Sequence, residues 1–284
     1  MTESRTARIF LRLGAGATLA FIYFPLVVIA IYAFNENISQ TWPIEHYTTK
    51  WFSVAWNNPD VRDALLLSVK AALGATAIAL VLGMLAGLAV SRSRFFGRET
   101  ISFLVILPIA LPGIITGLAL QATILNVLDP IGISFSIWTI VIGHATFCIV
   151  VLYNNAVARM RRVSEHLDEA SMDLGADSWQ TFRFVTFPQL RTALLAGALL
   201  AFALSFDEVV VTIFTSGAQQ TLPIWIFTNF ARPRELPVVN VVALFVIVAS
   251  IIPVWIAQRL AGGSGLTSER PTPQSVAAVI DAEP

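Results

Sequence analysis

Two adjacent carboxylates, Asp207 and Glu208, lie inside an otherwise apolar run from Ala193 to Thr215. A charge at the centre of a membrane helix costs about 2.5–3.5 kcal/mol on insertion scales, so acids in such a run face a cavity, pair with another charge, or hold something cationic. Asp207 follows Ala193 by a rise of about 21 Å if the run is helical, which places it in the outer half of a bilayer. In a continuous helix Ala201, Ser205, Glu208 and Thr212 share one small, polar face, and Asp207 is turned about 100° away from it. The residues alone leave two readings open. Either acid could bond to a partner helix or to Lys70; alternatively the two form a cation site open to the outside.

Other groups capable of chemistry are sparse. His144 and Cys148 are four apart and share a helix face, but no third or fourth ligand lies near them in sequence, which favours packing over a metal site. The three histidines, His46, His144 and His166, are scattered and form no triad with a serine and an acid. The two lysines, Lys50 and Lys70, lack the glycines of a phosphate-binding G-x-x-x-x-G-K-[ST] loop. Neither covalent catalysis nor ATP hydrolysis is expected of this chain, and a single cysteine excludes a disulfide framework. The sequence also displays no inverted repeat of broken spans of the kind many secondary carriers carry.

The elements that must position these residues are membrane helices. The chain has 284 residues, of which 56% are hydrophobic and 13% charged, and its mean hydropathy is +0.74. That is too apolar for a soluble domain and fits an all-α polytopic membrane protein. Six runs approach the ~20 residues needed to span a bilayer: Leu13–Phe34, Ala64–Val90, Ile101–Leu125, Phe135–Ala156, Ala193–Thr215 and Val238–Leu260. The first is too long for a signal-peptide core and lacks a small-residue cleavage site, so it is expected to be retained. Residues 1–262 thus form the membrane domain. Residues 263–284, polar and rich in Gly and Pro, read as a flexible tail.

Orientation follows from Lys and Arg. The N-terminus (Arg5, Arg8, Arg12), the span 2–3 loop (Arg92, Arg94, Arg98), the long loop (Arg159, Arg161, Arg162, Arg183, Arg191) and the C-terminus (Arg259, Arg270) fall on one side. They hold most of the 18 basic residues, whereas the opposite loops carry Lys50, Arg62, Arg232 and Arg234. Both termini and the long loop are expected in the cytoplasm.

That long loop, residues 159–191, reads as two short helices with a hinge. Leu167, Ala170, Ser171 and Leu174 make an apolar stripe, while Glu165, Glu169 and Asp173 set carboxylates on the other side. Gly175 suits a left-handed helix terminus. Asp177 caps a second helix with Gln180 as its capping-box partner, and Pro188 is expected to stop that helix. On the other side of the membrane, residues 35–63 carry Trp42, Tyr47, Trp51, Phe52 and Trp56. These rings suit an interfacial belt, and one or two, Trp51 foremost, could line an outer mouth where a cation stacks. Pro108, Pro112, Gly113 and Gly117 should bend span 3 near mid-membrane and turn Thr116 and Gln121 inward.

Two resemblances add to this reading. Glu169, Ala170, Gly175 and Pro188 stand at the spacing of the "EAA" loop of bacterial ABC importer permeases, with Ser171, Val185 and Phe187 replacing the usual Ala, Ile and Leu. In that family the loop docks into a separate ATPase subunit, so the resemblance implies coupling roles for Glu169, Ala170, Asp173 and Gly175. The segments Thr48–Asn58, Leu204–Val211, Thr221–Pro223 and Pro237–Asn240 resemble the C-type permeases of spermidine/putrescine importers, where an acidic pair occurs at the place of Asp207 and Glu208. One departure is that Pro112 is followed by Gly113, where such permeases can have Asp.

The resemblance implies a type I importer fold in a bacterial inner membrane. It further implies a second permease subunit, giving a heterodimer, two copies of an ATPase that hold ATP and Mg, and an external solute-binding protein. No nucleic-acid partner and no cofactor on this chain are expected. Asp207, Glu208 and Trp51 are then the candidate substrate-binding residues, and a polyamine the expected solute. Rival cargoes are an opine-like compound, an amino-acid derivative or a phosphonate; a rival class is an ion-coupled secondary carrier.

Overall fold

The computed structural model describes residues 5–93, 95–164 and 166–262. The expected tail at 263–284 and the expected carboxylate of Glu165 lie outside the described residues, as do Arg94 and Arg270. In chain order the helices are α1 (Arg5–Tyr32), α2 (Lys50–Asn57), α3 (Pro59–Arg92), α4 (Arg98–Ala110), α5 (Gly113–Thr123) and α6 (Ile137–Met160). There follow α7 (His166–Asp173), α8 (Ser178–Thr181), α9 (Phe187–Phe206), α10 (Val210–Thr215), α11 (Leu222–Phe230) and α12 (Leu236–Gly262).

Among the described residues five helices are long and apolar enough to cross a membrane: Thr6–Tyr32, Pro59–Arg92, Gly113–Ile131, Ile137–Met160 and Ser178–Phe206. The sixth expected span falls on α12, a 27-residue helix (Leu236–Gly262) whose described apolar stretch runs from Leu236 to Ile252. The expected spans 3 and 5 are also not continuous. Leu111 and Pro112 are both extended (ψ 145° and 130°), which separates α4 from α5. The proline ring disfavours helical geometry at Leu111, so the break sits one residue before it. Pro108 is accommodated inside α4.

The bundle centres on α3, α6 and α9. Ala75 and Ala79 of α3, Ala145, Leu152 and Ala156 of α6, and Leu190, Leu194 and Ala201 of α9 share one buried cluster. Small residues let the backbones approach: a Cβ on Gly83 would lie 2.7 Å from Leu152 Cβ, and one on Gly87 2.7 Å from Ala156 Cβ. In lipid, where tails are as apolar as side chains, such close packing is what holds helices together. A second cluster joins Ala33, Ala55, Ala64, Trp225 and Val242 at the other end of the chain's helices. By contrast α1 is largely exposed, with Phe10 and Phe21 each 80% accessible. Its apolar surface is available to lipid or to another subunit.

Pro188 does not end the second loop helix. Phe182–Thr186 form a wide π turn that runs from α8 directly into α9, and Pro188 sits in the first turn of α9. A wide turn shifts the hydrogen-bond register, and a first-turn position has no need of the amide proton that proline lacks.

Candidate functional site

The expected acidic pair sits at a break in span 5, not on a continuous helix face. The α9 helix ends at Phe206, and α10 begins at Val210. Asp207 N–H still bonds to Ala203 O at 3.1 Å, closing α9, and Ile213 N–H bonds to Val209 O at 3.0 Å, opening α10. The two acids therefore do different things. Glu208 Oε1 accepts from Val211 N–H at 3.0 Å, so its carboxylate supplies the first turn of α10 with an acceptor. Asp207 is exposed and turns into a cavity of about 670 Å³ formed with α11 and α12. Phe206, Val209, Ile226, Phe227 and Phe230 help line that cavity, and among the described residues Asp207 is its one charged lining residue.

Trp51 does not line this cavity. Its Nε1–H donates to Asn35 O at 2.9 Å, and its ring packs on the cluster containing Ala55 and Trp225. The tryptophan thus ties α2 to the end of α1. Lys70 is exposed and makes no ion pair with either acid among the described residues.

The broken span is seated by glycines and hydroxyls. Gly113 and Gly117 of α5 lie against Val210 and Phe214, and Gly143 of α6 lies against Val211 and Thr215. Thr139 Oγ1 donates to Thr215 O at 2.8 Å. His144, 2% exposed, places Nδ1 2.8 Å from Ser205 Oγ and Nε2 2.8 Å from Thr212 Oγ1. It therefore joins the end of α9 to the middle of α10. Cys148, one turn on, donates to Ala201 O at 3.3 Å, and no metal-capable cluster of His, Cys, Asp or Glu occurs among the described residues.

The hinge and the second helix cap of the long loop form as its sequence suggests. Ala176 N–H bonds to Ser171 O and Gly175 N–H to Met172 O, with Gly175 at φ +90°, a Schellman terminus after α7. Asp177 Oδ1 accepts from Gln180 N–H at 2.8 Å, and Gln180 Oε1 accepts from Asp177 N–H at 3.0 Å. Glu169 is exposed and lies 3.0 Å from His166 Nδ1; Ala170 and Asp173 are exposed as well. Beside them stand the accessible apolar side chains of Leu174, Trp179 and Phe184. Sequence reasoning missed Asp168, which is turned inward. Its Oδ2 is 3.0 Å from Arg92 Nε, and its Oδ1 accepts from Thr186 Oγ1 at 3.0 Å. The signal was present in the basic end of span 2 and an acid out of the loop's exposed row, but only the fold brings them together. Arg159 Nε–H donates to Gln189 O at 2.8 Å, bracing α6 against α9 near the same place.

These features define an all-α, multi-pass membrane protein whose exposed loop is braced to the bundle and whose fifth expected span is broken at a cavity. The family described as "Binding-protein-dependent transport system inner membrane component" matches residues 79–263, and the chain belongs to that family. It is 31% identical over 245 residues to the putrescine transport system permease protein PotI of Escherichia coli (strain K12), covering 84% of this chain and 86% of the relative. It is 29% identical over 247 residues to the spermidine/putrescine transport system permease protein PotC of the same organism, covering 86% and 91%.

Among solved structures, a bacterial ABC transporter involved in import of the acidic polysaccharide alginate superposes with a TM-score of 0.66 at 18% identity, covering 93% of this chain and 99% of that one. That likeness shows the fold, which is typical of type I ABC importer permeases. The chain is accordingly the permease subunit of an ABC importer and not an enzyme. ATP hydrolysis belongs to a separate ATPase chain. The secondary-carrier rival has no support in this membership.

Proposed function

We propose that this permease carries a cationic organic solute, a polyamine such as putrescine or spermidine, and that Asp207 is the group that receives it. The observation that carries this reading is a carboxylate at a helix break, facing a cavity lined mostly by aromatic and aliphatic side chains, with Thr228 among them. A carboxylate attracts an ammonium, phenylalanine faces favour the cation, and apolar walls suit the methylene chain between amines. The similarity to putrescine and spermidine/putrescine permeases supports the same class. An anionic or apolar cargo would leave Asp207 facing the cavity without a partner of opposite charge.

In this reading the N- and C-termini and the loop at 159–191 lie in the cytoplasm, as the charge bias favours. A second, different permease completes the pathway, and two ATPase copies grip the two loops. Glu169, Ala170, Asp173 and Gly175 form the docking face here, with Leu174 and Trp179 beside them as apolar anchors. A binding protein on the outside releases solute toward Asp207. Closure of the ATPase pair on ATP moves the loop, and the α3–α6–α9 bundle carries that movement to the break. Glu208 shapes the break and Trp51 the outer end of the bundle.

The test is uptake of radiolabelled putrescine and spermidine by cells producing the complete importer with Asp207→Asn plus Glu208→Gln. A loss of uptake with normal amounts of assembled transporter is expected. Undiminished uptake of both would overturn the cation site.

A further inference from the structure

The His144 ring is buried in the membrane part of the bundle, and the transport cycle as described so far gives it no task. Its two nitrogens bond to two hydroxyls that flank Asp207 in sequence, Ser205 two residues before it and Thr212 five residues after. A third bond completes the chain: Thr212 Oγ1–H donates to Glu208 O, the carbonyl next to Asp207 on the non-helical stretch. The partners fix the proton order. Thr212 has one hydroxyl hydrogen and gives it to that carbonyl, so its oxygen must accept from His144 Nε2–H. A neutral imidazole then offers Nδ1 as acceptor to Ser205 O–H. The sequence of bonds is Ser205 to His144 to Thr212 to the Glu208 carbonyl.

Resting on the reading of Asp207 as the solute-receiving group, we infer that His144 is a positioning residue for that carboxylate. The ring belongs to α6, while the segment it spans, Asp207–Val209, belongs to neither α9 nor α10. Without an outside tie, a break of this kind has backbone freedom that a continuous helix lacks, and the direction of Asp207 would vary with it. The flat ring fixes the separation between a hydroxyl on each side of the break. Gly143, the neighbouring residue on α6, lets α10 approach closely enough for the bond to Thr212, its hydrogen-bearing Cα facing Val211 and Thr215. The same α6 ends at Met160, about 24 Å away at helical rise, where Arg159 is bonded to Gln189 at the base of the loop. One rigid helix therefore holds the solute-facing break at one point and the loop at another.

The experiment is a double-mutant cycle in cells producing the complete importer, with radiolabelled putrescine and spermidine as probes and uptake normalised to assembled permease–ATPase complex. His144→Leu, Thr212→Val and Ser205→Ala are made singly and again in an Asp207→Asn background. His144→Gln is made as the conservative variant, because its amide keeps both a donor and an acceptor. The Leu and Val variants are expected to lower uptake about tenfold in the parent, with His144→Gln recovering most of the loss, and to cost less than twofold once Asp207 is Asn. If the losses multiply in full with Asp207→Asn, His144 acts on the bundle as a whole; the inference is then overturned, while Asp207 keeps its role. If Asp207→Asn alone leaves uptake unchanged, the site reading fails first and takes the inference with it. Should His144→Leu not assemble, Thr212→Val and Ser205→Ala, each removing a single hydroxyl, decide the question by the same comparison.

Discussion

Asp168 holds three helices at once: its Oδ2 lies 3.0 Å from Arg92 Nε at the end of α3, and its Oδ1 accepts from Thr186 just before α9. Both side chains of the ion pair are mostly buried, at 18% and 17% exposure. A pair so placed should matter more than the ~0.2–1 kcal/mol of an exposed pair and less than the ~3–5 kcal/mol lost on breaking a fully buried one. Asp168→Ala is expected to cost about 2 kcal/mol at the loop, and Asp168→Asn less, because the amide oxygen still accepts from Thr186. In proteoliposomes the ratio of solute imported to ATP hydrolysed should fall in that order. Equal ratios in all three forms would mean the brace is not part of the coupling path.

The turn after α7 gives a second test. Gly175 sits at φ +90° with no atom crowding the space a Cβ would take. A side chain there is opposed by backbone geometry, not by neighbours, at about 1–2 kcal/mol and more for a β-branched residue. Gly175→Val should therefore disorder the loop without disturbing the α3–α6–α9 packing. Glu169→Lys reverses a charge on the exposed face beside it. Both are expected to leave the permease folded by circular dichroism while uncoupling ATPase activity from uptake. Intact ATP-driven uptake in both would count against docking through this face.

The two adjacent acids should separate on mutation. Asp207→Asn removes the charge facing the cavity and touches no hydrogen bond inside the helices. Glu208→Gln keeps an oxygen for Val211 N–H, whereas Glu208→Ala leaves the first turn of α10 without that acceptor, a loss of about 0.5–2 kcal/mol by analogy with capping side chains. Polyamine uptake is expected to fall with Asp207→Asn and change little with Glu208→Gln. Thermal stability in detergent should fall with Glu208→Ala only. A stability loss in Asp207→Asn would reassign that carboxylate to a structural role.

Why the sequence disclosed the loop but misplaced the acids has a physical basis. The loop is specified locally: Gly175 for a left-handed residue, Asp177 and Gln180 for reciprocal capping. Each signal lies within a few residues of the structure it produces. The spans were legible as apolar runs for the same reason. The break at Asp207 is not written locally. No proline or glycine marks residues 206–209, and helical periodicity placed Ser205, Glu208 and Thr212 on one face. The break is held by α6, through His144, and by the Gly113 and Gly117 slots of α5, all distant in sequence. Arg92 and Asp168 escaped notice in the same way, since charge counting sees a basic loop and an acidic helix but not their contact.

The closeness of α3 and α6 gives the last test. A Cβ on Gly83 would stand 2.7 Å from Leu152 Cβ, 2.9 Å from Ile149 O and 3.0 Å from Tyr153 N. Two of these three atoms are backbone, so no rotamer change relieves the overlap and the helices must part. Gly83→Ala is expected to destabilise the chain by about 1–3 kcal/mol, the range for overpacking a filled core. Gly16, in the exposed α1, has no atom within 4 Å of its would-be Cβ. There Gly→Ala should stabilise the isolated chain by about 0.5–1 kcal/mol through reduced backbone freedom. Thermal unfolding of the purified chain in detergent compares the two directly. Because the α3–α6 contact lies between the break and the loop, Gly83→Ala should also lower solute imported per ATP in the intact transporter. A Gly83→Ala chain as stable as the parent would show that α3 and α6 do not pack this closely in the membrane.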